Sequence, residues 1–137
     1  MIQCLMATCA EQLIRNAETN TVSIISMIEE ISVPRLPGVI LALNAFFLLE
    51  RAADDPESPE CIVRLKLDDQ VLQEFPAAAN FQGKLRTRAF VTIGNVALPG
   101  PGEFSVSIAR AGEQEALGSW RIKVSVIAQA TAAVTNA

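Results

Sequence analysis

Residues 98–126 open with Leu98-Pro99-Gly100-Pro101-Gly102-Glu103-Phe104-Ser105-Val106-Ser107-Ile108. After a glycine turn they close with Trp120-Arg121-Ile122-Lys123-Val124-Ser125-Val126. Phe104, Val106 and Ile108 alternate with Glu103, Ser105 and Ser107, and Trp120, Ile122, Val124 and Val126 alternate with Arg121, Lys123 and Ser125. A period of two with one apolar parity is the pattern of a strand buried on one face, and Pro-Gly pairs between such runs are turns. This stretch therefore predicts strand, turn, strand, turn, strand.

Upstream the same logic repeats. Ile2 to Thr8 reads as a first strand, and the polar residues of Cys9 to Asn20 predict a loop or helical turn after it. Thr21 to Val33 is rich in β-branched residues and is closed by Pro34, with a phase change near Ile24-Ile25 that suggests a bulge. Val39 to Glu50 is apolar on both parities, with Leu43, Ala45, Phe47 and Leu49 on one and Ala42, Phe46 and Leu48 on the other. A strand of that kind is covered on both faces. Cys61–Leu67 and Val71–Phe75 flank Asp68-Asp69-Gln70 as a hairpin, and Leu85 to Leu98 supplies another strand. Turn signals at this spacing, with no βαβ alternation, predict an all-β chain: an antiparallel, immunoglobulin-like β-sandwich of seven or eight strands, with a jelly roll as the alternative. Residues 1–128 form that single domain, and 129–137, which lack an apolar period, read as a flexible C-terminal tail.

Composition limits the functions open to such a domain. The chain has 137 residues, half of them apolar, enough for one core. Its longest apolar run, Val39 to Leu49, is 11 residues, too short for the roughly 20 that a bilayer-spanning helix needs. The first ten residues carry no Lys or Arg, so no secretory signal is expected there. Three cysteines make no even disulfide set, and a reducing cytoplasm follows as the expected compartment. With no histidine, a histidine-dependent triad is excluded and a metal site on Cys4, Cys9 and Cys61 has no histidine to serve as its fourth ligand, so no cofactor or metal is expected. The paired acids Glu29-Glu30, Asp54-Asp55 and Asp68-Asp69 read as exposed turn or strand carboxylates. A remote hydrolase would have to work through Asp54 or Asp55.

The first half, Ala7-Thr8-Cys9-Ala10-Glu11 through Asn20-Thr21-Val22-Ser23-Ile24-Ile25-Ser26-Met27-Ile28-Glu29-Glu30-Ile31 and Pro37, together with Leu98-Pro99-Gly100-Pro101-Gly102-Glu103-Phe104, resembles a family of small uncharacterised bacterial β-sandwich proteins, a domain of unknown function. The resemblance implies a bacterial cytoplasmic sandwich. It implies no catalytic residue.

Charge is unevenly placed in this chain of net charge −4: residues 1–60 carry −6, and residues 61–137 carry +2. Arg64 and Lys66, Arg86 and Arg88 (extended by Lys84), and Arg121 and Lys123 are same-face pairs on three expected strands. If those strands share a sheet, they form a cationic stripe able to hold an acidic partner. The acidic chain and the lack of interleaved aromatics disfavour nucleic acid, and no small-molecule ligand is evident. Phe46 and Leu48, on the second face of the Val39 strand, require a cover, either the Cys9–Asn20 segment or a second copy in a homodimer. The expectation is a non-enzymatic module that binds a protein partner through a sheet face or edge. The alternative is a structural subunit of a self-assembling or phage-related particle.

Overall fold

The computed structural model describes residues 1–127, and the expected tail lies outside them. Nine strands form among the described residues: β1 (Gln3–Asn16), β2 (Thr21–Met27), β3 (Glu30–Val33), β4 (Gly38–Glu50), β5 (Glu60–Leu67), β6 (Gln70–Ala78), β7 (Arg86–Leu98), β8 (Gly102–Arg110) and β9 (Gly118–Val126). They build two packed sheets. The first has the order β2-β1-β4-β7 and the second β3-β9-β8-β5-β6.

The fold is thus all-β, as the alternating pattern requires, but with more strands than seven or eight. Two local events depart from the sequence reading, the first lengthening a strand and the second adding one. The polar run Cys9–Asn16 does not leave the sheet; β1 continues through it and pairs with β2 from Ala10↔Met27 to Asn16↔Thr21. Both faces of this outer segment are largely exposed, so no buried parity marked it in the sequence. Its turn is closed by Asn16, whose Oδ1 accepts the amides of Glu18 (2.9 Å) and Thr19 (3.2 Å), and by Asn20 at φ +56°.

The second event splits Thr21–Val33. Ser26 at φ +57° turns the chain, and Ile28 N–H donates to Cys9 O at 2.8 Å. Beyond this point the backbone crosses to the other sheet, where β3 runs parallel to β9 from Glu30↔Lys123 to Val33↔Val126. Among the described residues this is the one departure from antiparallel pairing. Trp120 fixes the crossing by donating from Nε1 to Ile28 O at 2.7 Å.

The core lies between the sheets. Leu43, Ala45, Phe47 and Leu49 of β4 face Val63 and Leu65 of β5, Phe104, Val106 and Ile108 of β8, and Ile122 and Val124 of β9, all buried. Cys9 and Cys61 belong to the same cluster. Burial pushes the Cys9 thiol up to about 12 and raises that of Cys61 as well. Asp68, at φ +52° in the β5–β6 turn, clasps the Pro-Gly turn: its amide donates to Glu103 O (2.8 Å), and its Oδ1 accepts from Glu103 N (3.1 Å).

Gly118 of β9 packs directly against Cys4 of β1 in the other sheet. A Cβ at position 118 would sit 2.5 Å from Cys4 Sγ and 2.7 Å from Cys4 Cβ. Gly118→Ala is expected to cost about 1–3 kcal/mol by overpacking, read as a lower denaturant midpoint with unchanged m; an unchanged midpoint would show that the two strands can separate there. At pH 7.5 a maleimide should modify Cys9 about a thousandfold more slowly in the folded protein than in denaturant. Equal rates would contradict the buried position of that thiol.

Candidate functional site

The outer face of the first sheet is organised by register. β4 pairs with β1 on one side and β7 on the other, so directly opposed residues form rows across three strands. The rows on the solvent side are Gln3–Glu50–Arg86, Met6–Leu48–Arg88, Thr8–Phe46–Phe90 and Ala10–Asn44–Thr92. A register shift between Cys4 and Met6 sets the phase of the lower part of β1.

This face is not flat, because the β1–β2 hairpin rises beside it as an arm. Val22 and Ile24 of the arm line the same concavity as Phe46, Leu48 and Phe90, and it encloses about 840 Å³. Phe46 and Phe90 meet edge-on-tilted, with ring centroids 5.5 Å apart at 59°. Phe46 is only 4% exposed and serves as floor, whereas Phe90 at 42% remains available to a ligand. Arg15 of the arm holds its guanidinium 5.9 Å from the Phe90 ring centre. Arg88 ties the arm tip to β7 by donating to Asn20 O (2.8 Å) and Asn20 Oδ1 (3.2 Å).

Four cations, Arg15, Lys84, Arg86 and Arg88, line the concavity, and no carboxylate does. Glu50 lies at its rim, where Arg86 Nε donates to Glu50 Oε2 at 2.8 Å. Lys84 forms no ion pair among the described residues. In an acidic chain this is a local reversal of sign, and the surrounding apolar surface strengthens its field relative to a flat exposed face.

The condition for a single cationic stripe, that the three strands carrying the seven basic residues share a sheet, is not met. Lys84, Arg86 and Arg88 belong to the first sheet or its approach, whereas Arg64 and Lys66 on β5 and Arg121 and Lys123 on β9 belong to the second. The topology sends β7 across the core from its sequence neighbours, which same-face spacing within a strand cannot reveal. Between β5 and β9 lies β8, with Ser105 opposite both Lys66 and Arg121.

On the second sheet Arg64 and Arg121 are engaged in ion pairs, whereas Lys66 and Lys123, like Lys84, form none among the described residues. Arg64 Nε lies 3.4 Å from Glu74 Oε2, and its other nitrogens donate to Glu113 O (2.8 Å) and Gln114 O (3.2 Å), so it staples the β8–β9 connection. Arg121 Nε lies 3.6 Å from Glu103 Oε1, and Lys123 is flanked in register by Glu30 and Glu103.

The structure instead joins Lys84, Arg86 and Arg88 to the apolar pair Phe46 and Leu48, two features that the sequence left separate. Part of the cover for that pair comes from the chain itself, through the arm that continues Cys9–Asn16. Arg15, Val22, Ile24 and Phe90 were missed as site residues. Phe90 carried a signal, since it lies in phase with Arg86 and Arg88; the arm residues carried none without knowledge of the hairpin.

Arg51 positions the cationic rim. It is 8% exposed, its Nε donates to Lys84 O (2.9 Å), its Nη1 to Asp55 O (3.0 Å), and its backbone amide to Leu85 O (2.8 Å). The guanidinium also sits 5.6 Å from the centre of the buried Phe81 ring. Asp55 closes the turn from the other side: its Oδ2 accepts from Ala52 N (2.8 Å) and meets the Met1 ammonium at 2.8 Å. These contacts hold the Asp55 carboxyl below the usual carboxylate range, the opposite of the raised value that a general acid needs. Among the described residues no three acids or cysteines gather as a metal-ligand group, and no helix is long and apolar enough to cross a bilayer.

No family model matches the chain, and no curated protein matches it. Arg51→Met is expected to lower stability by about 2 kcal/mol, because the part-buried carbonyls of Lys84 and Asp55 lose a charged donor. Chemical denaturation measures it; a loss below about 0.5 kcal/mol would mean that Arg51 does not hold the Lys84–Leu85 backbone.

Proposed function

We propose that this chain is a non-enzymatic binding module, and that it takes an acidic segment of a protein partner in the concavity of the first sheet. The observation that carries this reading is the lining itself: four cations without a carboxylate around an apolar floor, in a protein of net charge −4. An acidic side chain entering there finds donors already positioned, and a neighbouring apolar side chain finds Phe90 and Leu48. Nucleic acid fits less well. Phe46 is buried as floor, so a single exposed ring remains, whereas strand-tracking of bases relies on successive stacking platforms.

We infer further that the sandwich is of immunoglobulin-like type. β4 and β7 pair in one sheet while β5, β8 and β9 lie in the other, the arrangement of strands B and E against C, F and G. β6 then extends the second sheet beside β5. On this reading β1 stands beside B, and the position of strand D, beyond β7, is empty. The expected bacterial, cytoplasmic setting is kept as a proposal and rests on composition and resemblance.

Self-assembly is a second reading with its own observation. Ile14, Ile25 and Met27 are 43%, 39% and 46% exposed, and the cross-strand register places them on one side of the arm, away from the parity of Val22 and Ile24. A second copy or a larger particle could cover that stripe.

The binding reading is tested by fluorescence anisotropy with labelled Glu-rich peptides and a labelled single-stranded oligonucleotide. The acidic peptides should bind, weaken as ionic strength rises, and lose about tenfold in affinity with Lys84→Glu, while Lys66→Glu on the other sheet leaves binding unchanged. Preference for the oligonucleotide, or equal effects of the two substitutions, would refute it.

A further inference from the structure

Each sheet of the sandwich ends in two edge strands, and their protection is unequal. On the second sheet β6 carries Pro76, opposite Ile62, and β3 is four residues long and closed by Pro34. Proline and shortness are the usual means of preventing strand addition. On the first sheet β2 has seven residues and ends at the Ser26 turn. β7 differs from all three. It spans 13 residues without proline, and its pairing with β4 keeps one register from Arg86↔Glu50 to Leu98↔Gly38, with Asn95 at φ +55°. Among the described residues, no backbone hydrogen bond outside the β4 ladder satisfies the outward amides and carbonyls of Arg86–Ile93.

The same strand carries half the cationic rim. Arg86, Arg88 and Phe90 project on the concave side, and Thr87, Ala89 and Val91 on the core side. An edge of this composition discriminates between occupants. A second copy paired through β7 would bring Lys84, Arg86 and Arg88 from both chains to one seam, where the Arg86–Glu50 pair offsets one of the three like charges on each side and Lys84 and Arg88 have no ion pair among the described residues. An acidic strand removes that repulsion.

We propose that the occupant of the concavity is an extended, acidic segment of a foreign protein that adds to β7 as an antiparallel strand. This rests on the acidic-partner reading above and specifies its mode. Directly opposed residues share a face, so the incoming strand places an apolar residue against Phe90, and acids against Arg88 and Arg86, separated by small or β-branched residues against Ala89 and Thr87. Read from its N-terminus, the recognised pattern is apolar, β-branched, acid, β-branched, acid. It fills the place that strand D leaves vacant beside β7 in the immunoglobulin-like arrangement.

The probe is an acetylated nonapeptide with Leu-Val-Glu-Val-Glu at its centre, used with the full chain. Two further versions carry N-methyl groups on alternate backbone amides, one version on each parity. Isothermal titration should show that the parent binds, that one N-methylated version loses about tenfold or more, and that the other keeps the parent affinity, because only one parity donates to the edge. Exchange of both Glu for Lys should abolish binding. If both N-methylated versions bind like the parent, strand addition is wrong while acid recognition by the face stands. Failure of the parent to bind, with Glu-rich peptides of other patterns still binding, overturns the register. Failure of every acidic peptide overturns both readings. A peptide-free dimer that the parent peptide cannot dissociate overturns the foreign strand in favour of a second copy.

Discussion

The structure depends on β4 being apolar on both faces. Leu43, Ala45, Phe47 and Leu49 satisfy one face by packing against the second sheet, at the centre of the core. The other face, with Phe46 and Leu48, would expose a hydrophobic row to water if the sheet stopped there. The chain answers by prolonging β1 past the edge of the sandwich and folding β2 back on it, so that Val22 and Ile24 stand over the row. Part of the apolar row is covered, and a concavity is left where the arm and β7 face each other.

The electrostatics of that concavity follow from the placement of β7. Topology takes Arg86 and Arg88 away from the second sheet, where Arg64 and Arg121 each engage an acid, and sets them beside Phe46 and Leu48. Arg88 and Arg15 are held by the arm, through Asn20 and the Phe90 ring, and Arg51 fixes the backbone that delivers Lys84. The contacts that hold Lys84, Arg88 and Arg15 in place leave their charge uncompensated among the described residues, whereas Arg86 is paired with Glu50. Uncompensated cations beside an apolar surface repel one another, and a site of this kind is stabilised by occupancy with an anion.

Much of this was legible in the sequence. The alternation in 103–108 and 120–126 specified the β8–β9 hairpin, and the two-sided apolar run 39–50 specified a strand needing cover on both faces. The length of β1 was not legible, because an arm exposed on both sides leaves no buried parity to read. The break at Ser26–Glu29 was hidden as well, since its cause is tertiary: Trp120 and Cys9 capture the backbone around Ile28. The cationic residues were all visible, but their division between sheets was not, since spacing assigns a face within a strand and says nothing about which strands are neighbours. The site emerged only when register placed Lys84, Arg86 and Arg88 beside Phe46 and Leu48.

The most direct test of the central claim, that the concave side of the first sheet is the face built for a partner, is photo-crosslinking in the producing cell. A photoreactive residue would replace Thr92, exposed at the end of the Ala10–Asn44–Thr92 row, and in a parallel strain Gln73, exposed on the second sheet. The account predicts crosslinks from position 92 to segments rich in acidic residues, diminished by high salt, and none of that class from position 73. Crosslinks of equal yield and composition from both positions, or acidic segments captured only from position 73, would contradict it.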